Sequence, residues 1–175
     1  MNRLLLAVFL TSAIALPLLA SSYYITLFSF ILLNALVALG LVLLTGVAGL
    51  ISFGQAAFVG IGAYTTAYLS TRFGMGGLAT LACTIALVAA SAFVIGRLTL
   101  SMGGHYLSLA TLAWGLSVYY ALGQIQALGG FNGLGGIPVL DLGGITLSTD
   151  RAIYSLIAIC FALALLGVRN LLHSR

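Results

Sequence analysis

Six apolar runs, separated by short breaks that carry Gly and Arg, lay out this chain: Leu4–Leu19, Tyr23–Thr45, Gln55 to about Ser70, Leu78–Ile95, Tyr106 to about Leu122, and Ala152–Val168. Most approach the roughly 20 residues a helix needs to cross a bilayer. The third is short and is expected to be tilted, to begin further back at Leu50, or to be partly re-entrant. The breaks are the Gly46–Gly54 region, Arg72–Gly77, Arg97–His105 and a long loop, Ala127–Arg151, with seven glycines, Pro138 and both acidic residues. Leu4–Leu19 also has the outline of a signal peptide, but Leu18 suits the −3 position before a cleavage point at Ala20 poorly. A retained first helix is therefore expected. The pattern predicts an all-α, polytopic α-helical integral membrane protein of about six transmembrane helices, forming a single transmembrane domain over residues 1–175.

Within this pattern Leu44–Tyr68 is unusual. It is apolar enough for a membrane yet carries Gly46, Gly49, Gly54, Gly60 and Gly62. Interior glycines weaken a soluble helix by about 1 kcal/mol each, but in a bilayer they let backbones approach closely. Ser52, Ala56, Gly60, Ala63 and Ala67 fall three or four residues apart, so a helix would gather them into one small-residue stripe. A broken or Gly-rich helix is expected near residues 46–56. Hydrocarbon offers Ser52 and Gln55 no partner, so both should face protein or a water-filled path. Two readings stay open. Ser52, Gln55 and the backbone freed at Gly46, Gly49 and Gly54 line a translocation path, or the two polar side chains only tie helices together. Ala56, Gly60, Ala63 and Ala67 are expected to serve packing. Asn34, in mid-span, is expected to bond across to another helix, and Trp114, also in mid-span, to pack against neighbours or line a cavity.

Composition narrows the classes. The chain has 175 residues, 62% hydrophobic and 5% charged, against about 25% charged in a soluble domain. It contains no Lys, which excludes a Walker A loop. His105 and His173 lie far apart, Cys83 and Cys160 sit in apolar runs without metal-ligand spacing, and the Gly60–Gly62 step leads into no dinucleotide fingerprint. No catalytic residue, metal site or cofactor is expected, and no nucleic acid partner. No run contains Asp or Glu, which weakens an ion-coupled secondary transporter but leaves a passive channel open. With Met1 inside, Arg3, Arg97, Arg169 and Arg175 are cytoplasmic and Arg72 and Arg151 outside, four against two in keeping with the positive-inside bias. The N-terminus is therefore expected in the cytoplasm and the loop 127–151 outside it.

Two motifs carry a family resemblance. LTGVAGLISFGQAAFVGIGAYTTA, from Leu44, resembles the signature stretch of permease subunits of branched-chain amino acid ABC importers, the LivH/LivM family. GGHYLSLATLAWG from Gly103, followed by GGFNGLGGIP from Gly129, resembles its LivM-type members. The resemblance implies a multi-pass inner-membrane subunit that pairs with a second permease, two ATPase subunits and a substrate-binding protein. ATP would be used by the ATPases, with the permease supplying a path for branched-chain amino acids. Urea or short amides are the neighbouring substrate class, and a non-functional remnant is a further alternative. Asn132, Gly133 and Pro138 become candidates for facing the binding protein, against a plain connector. Family members continue past the point where LLHSR ends this chain, so a fragment, a truncated frame or a half completed by another polypeptide is expected.

Overall fold

A computed structural model describes residues 17, 20–99, 101–141 and 146–173. The expected first helix falls outside the described residues except for Pro17, as do Arg3 and Arg175. The described chain is helical: α1 Ser22–Val42, a π-turn Leu43–Val47, α2 Gln55–Arg72, α3 Gly77–Thr99, α4 His105–Gln124, two 3-10 turns at Gln126–Leu128 and Gly130–Asn132, and α5 Asp150–His173. Among the described residues there is no strand, only an isolated bridge between Asp141 and Thr146. Ser22–Val47, Gly77–Thr99 and Asp150–Leu172 are long and apolar enough to cross a membrane. The chain is an all-α polytopic membrane protein, and its helices follow the apolar runs within a few residues at most ends.

The fold divides into two compact units, one of residues 1–43 and 147–175, the other of residues 44–146. The first is built on α1 and α5. Ile25 and Leu32 on α1 and Tyr154 on α5 form its buried core, with Phe28, Ile157, Ala158 and Phe161 packed against them. Both sets repeat at three- and four-residue spacings, one face of each helix. Ser29 shares the α1 face because its hydroxyl is satisfied within the helix, donating to the Ile25 carbonyl at 2.9 Å. Asn34 behaves likewise: its Nδ2 donates to the Phe30 carbonyl at 2.8 Å rather than across to another helix.

In the second unit α2 packs against both α3 and α4. A single small-residue stripe therefore does not describe it, because a helix with two neighbours uses two faces. Gly60 meets Leu122 of α4, where a Cβ would lie 3.4 Å from Cδ1. Gly62 meets Val88 and Thr84 of α3. Ala57 and Ala67 are buried, while Ala56 and Ala63 turn outward. The α2 hydroxyls are tolerated at membrane depth because Thr65, Thr66, Ser70 and Thr71 all donate to carbonyls one turn back. Thr66 Oγ1 thus spends its proton on Gly62, so the 3.0 Å contact between Thr66 and Thr84 has Thr84 as donor. Replacing Thr84 by Val should destabilise the α2–α3 pair by about 0.6 kcal/mol, the usual worth of one such interhelical bond. Equilibrium unfolding in bicelles checks this.

Many outward positions are large and apolar: α3 alone exposes Leu78, Leu81, Ile85, Phe93 and Val94. Exposed apolar surface on this scale requires lipid or other subunits to cover it.

Candidate functional site

The stretch joining α1 to α2 does not continue as a helix. The α-helical ladder widens to a π-turn at Leu43–Val47, and Gly49 then takes a φ of +66°, a left-handed conformation that favours Gly. Residues 48–54 have no helical structure before Gln55 opens α2. The break expected near residues 46–56 lies here. Freed backbone in a membrane protein must find a partner in protein or in a water-lined space, and two of its amides find side chains. Phe53 N–H donates to Thr111 Oγ1 of α4 at 3.0 Å, and Gly54 N–H to Ser52 Oγ at 3.3 Å.

Beside the break is a cavity of about 260 Å³. The break and the first turn of α2 line it with Leu44, Leu50, Ser52, Gly54, Gln55, Ala57 and Phe58. Ala92, Ile95, Gly96 and Thr99 come from the last turns of α3, and Leu107, Thr111 and Trp114 from the first half of α4. No charged side chain is among them. Its polar residues carry hydroxyls, the Gln55 carboxamide and the Trp114 indole N–H, beside backbone. Thr99 donates to Ile95 at 2.7 Å and Thr111 to Ser108 at 3.0 Å, so both hydroxyl protons are spent within their own helices. The half-buried Gln55 carboxamide, by contrast, bonds to none of the described residues. The first turn of α2 adds backbone N–H groups that have no partner within the helix. Such a space suits a small, mostly apolar solute with a polar end. Among the described residues no group of three His, Cys, Asp or Glu could hold a metal ion.

Of the five path candidates, Ser52, Gly54 and Gln55 line this cavity. Gly46, in the π-turn, and Gly49 shape the break without lining it, and nothing lies within 4 Å of where their Cβ atoms would stand. Leu107, Thr99 and Thr111 were not distinguished as lining residues by sequence. Trp114, expected to pack or to line a cavity, does line it. The signal for Thr111 was weak, a polar residue in mid-span like Ser108 and Ser117.

The loop candidates lie apart from this cavity. Asn132 ends the second 3-10 turn and is exposed, Gly133 has φ +77°, and Pro138 is exposed. Close contacts hold the loop to the unit. The Phe131 ring lies against Gly123 near the end of α4, and Gly77 N–H, at the start of α3, donates to the Asp141 carbonyl at 2.9 Å. Between the Pro138 region and α2 and α3 lies a second cavity of about 360 Å³, lined in part by Thr66, Ser70 and Thr80.

Residues 7–173 match the family model described as "Branched-chain amino acid transport system / permease component". Among curated proteins the chain is similar to the high-affinity branched-chain amino acid transport system permease protein LivM of Escherichia coli (strain K12), at 32% identity over 148 residues. It is equally similar to the protein of the same name from Salmonella typhimurium, at 32% over 148 residues. Each match covers 84% of this chain and 35% of the relative, so the chain spans about a third of the length of the curated relatives it matches. No solved structure matches it significantly.

Proposed function

The chain belongs to the family of branched-chain amino acid transport system permease components, and on that premise we propose that it is a membrane subunit of an ATP-driven importer. In this reading the cavity at the break after Val47 is part of the translocation path for branched-chain amino acids. One observation supports it above the others: an uncharged cavity meets the start of α2 where the backbone between α1 and α2 is unwound. The aliphatic side chain would sit against Leu50, Phe58, Ile95, Leu107 and Trp114. The carboxylate would lie toward the first-turn amides of α2, since a helix N-terminus favours negative charge. Gln55 would offer the remaining hydrogen bonds.

The partners in this reading are a second permease subunit, two ATPase subunits that hydrolyse ATP, and a substrate-binding protein. The permease itself is not an enzyme and holds no cofactor. Its place is the cell inner membrane, with the N-terminus in the cytoplasm and the loop carrying Asn132, Gly133 and Pro138 toward the binding protein. Reconstitution of the chain with those partners in proteoliposomes tests the proposal. ATP-dependent accumulation of leucine, isoleucine or valine is the expected result. Uptake of urea or short amides in their place would reassign the substrate, and ATP-independent flux would point to a passive channel.

A further inference from the structure

Thr111 does more than line the cavity. It is buried, and its hydroxyl makes two bonds at once, donating to Ser108 O at 3.0 Å and accepting from Phe53 N–H at 3.0 Å. The first bond orients the oxygen, because the proton is committed to the helix and a lone pair is left facing the unwound chain. Gly54 lies close against the same residue, where a Cβ would stand 3.4 Å from the Thr111 carbonyl oxygen and 3.5 Å from its Cβ. One turn further along α4, a Cβ on Gly115 would approach the Phe53 carbonyl at 3.8 Å. The Phe53–Gly54 backbone is therefore seated on a single turn of α4. The upstream end of the break is tied differently, by the Leu50 N–H donating to the Leu44 carbonyl at 3.0 Å, and a Cβ on Gly46 or Gly49 would meet nothing within 4 Å.

We infer that Thr111 is a positioning residue for transport: its hydroxyl latches the downstream end of the unwound stretch, holding Ser52 and Gln55 in place at the cavity. This rests on the permease reading above. Val in place of Thr keeps the shape but removes the acceptor, leaving the Phe53 amide without its Thr111 partner. Ser restores the acceptor.

Thr111→Val and Thr111→Ser, each assembled in the full importer complex, test this in two independent ways. In Thr111→Val, deuterium exchange across residues 50–55 should accelerate several-fold, as expected for one lost, part-buried hydrogen bond. Maximal ATP-dependent uptake should fall by a similar factor, with half-saturation shifted less than about twofold, as expected when the lost interaction acts on the transport step rather than on capture. Thr111→Ser should stay close to wild type in both. Exchange and uptake in Thr111→Val equal to wild type would overturn the latch. So would a loss that Ser fails to rescue, because that marks a packing role for the methyl group. If wild type itself carries no amino acid while the exchange result holds, the permease reading fails and the latch stands.

Discussion

Leu at position 54 should reduce amino acid uptake severely, whereas Ala at position 46 should leave it near wild type. The two glycines are eight residues apart in the same Gly-rich stretch, but their surroundings differ. Gly54 has φ −84°, which any residue adopts, so its need for Gly is one of space. A Cβ there already touches Thr111 and lies 3.7 Å from Ser52 Oγ. The further carbons of Leu would push the break off α4 or fill the cavity that Gly54 lines. Overpacking of this kind costs about 1–3 kcal/mol, and here the strain falls on the one segment that joins the cavity to the helix start. Uptake in the reconstituted complex should drop to below about a tenth of wild type, while pull-down of the partner subunits persists, an effect of about 1.4 kcal/mol or more. Assembly lost together with uptake would show that Gly54 serves packing alone.

The second large effect is expected at Gly77. A Cβ there would overlap the Asp141 carbonyl oxygen and stand 3.1 Å from its carbon and 3.2 Å from Leu140 Cδ1. The neighbour is backbone, so no side-chain rotation relieves the clash. Gly77→Ala should therefore expel the 137–141 segment of the loop and break the 2.9 Å bond from Gly77 N–H. A freed loop is cleaved from its open state, so its proteolysis follows the opening equilibrium. Proteinase K should cut residues 134–141 about tenfold faster, corresponding to about 1.4 kcal/mol, with helix content by circular dichroism unchanged. If the loop faces the binding protein, stimulation of ATP hydrolysis by that protein should fall in parallel. Unchanged protection of the loop would mean that the contact at Gly77 does not hold it.

The spans and the break could be seen in sequence because they depend on properties that survive without tertiary structure. Long apolar runs have few alternatives to a membrane helix, and Gly46, Gly49 and Gly54 within one of them mark where the ladder loosens. The lining partners were harder to see. In a helix that is apolar all round, Thr111 and Leu107 carry no periodic mark separating the protein-facing side from the lipid-facing side, because lipid tails are as apolar as Leu. The same ambiguity put Ala56 in the predicted stripe where the structure buries Ala57. Asn34 shows a further limit: a mid-span amide has a carbonyl of its own helix within reach at Phe30 and needs no second helix. The Gly77–Asp141 tether is made by backbone atoms on both sides and has no side-chain signature.

The central claim is that the amino acid passes through the cavity beside the break. Substrate protection of a single thiol tests it most directly. Cys83 and Cys160, both exposed, are replaced by Ser, Ser52→Cys is introduced, and labelling by a water-soluble maleimide is followed in the working complex. The thiol should react, and leucine under turnover should slow the reaction several-fold while glutamate does not. A thiol that never reacts, or one whose labelling is the same with and without leucine in a complex that transports, would contradict it.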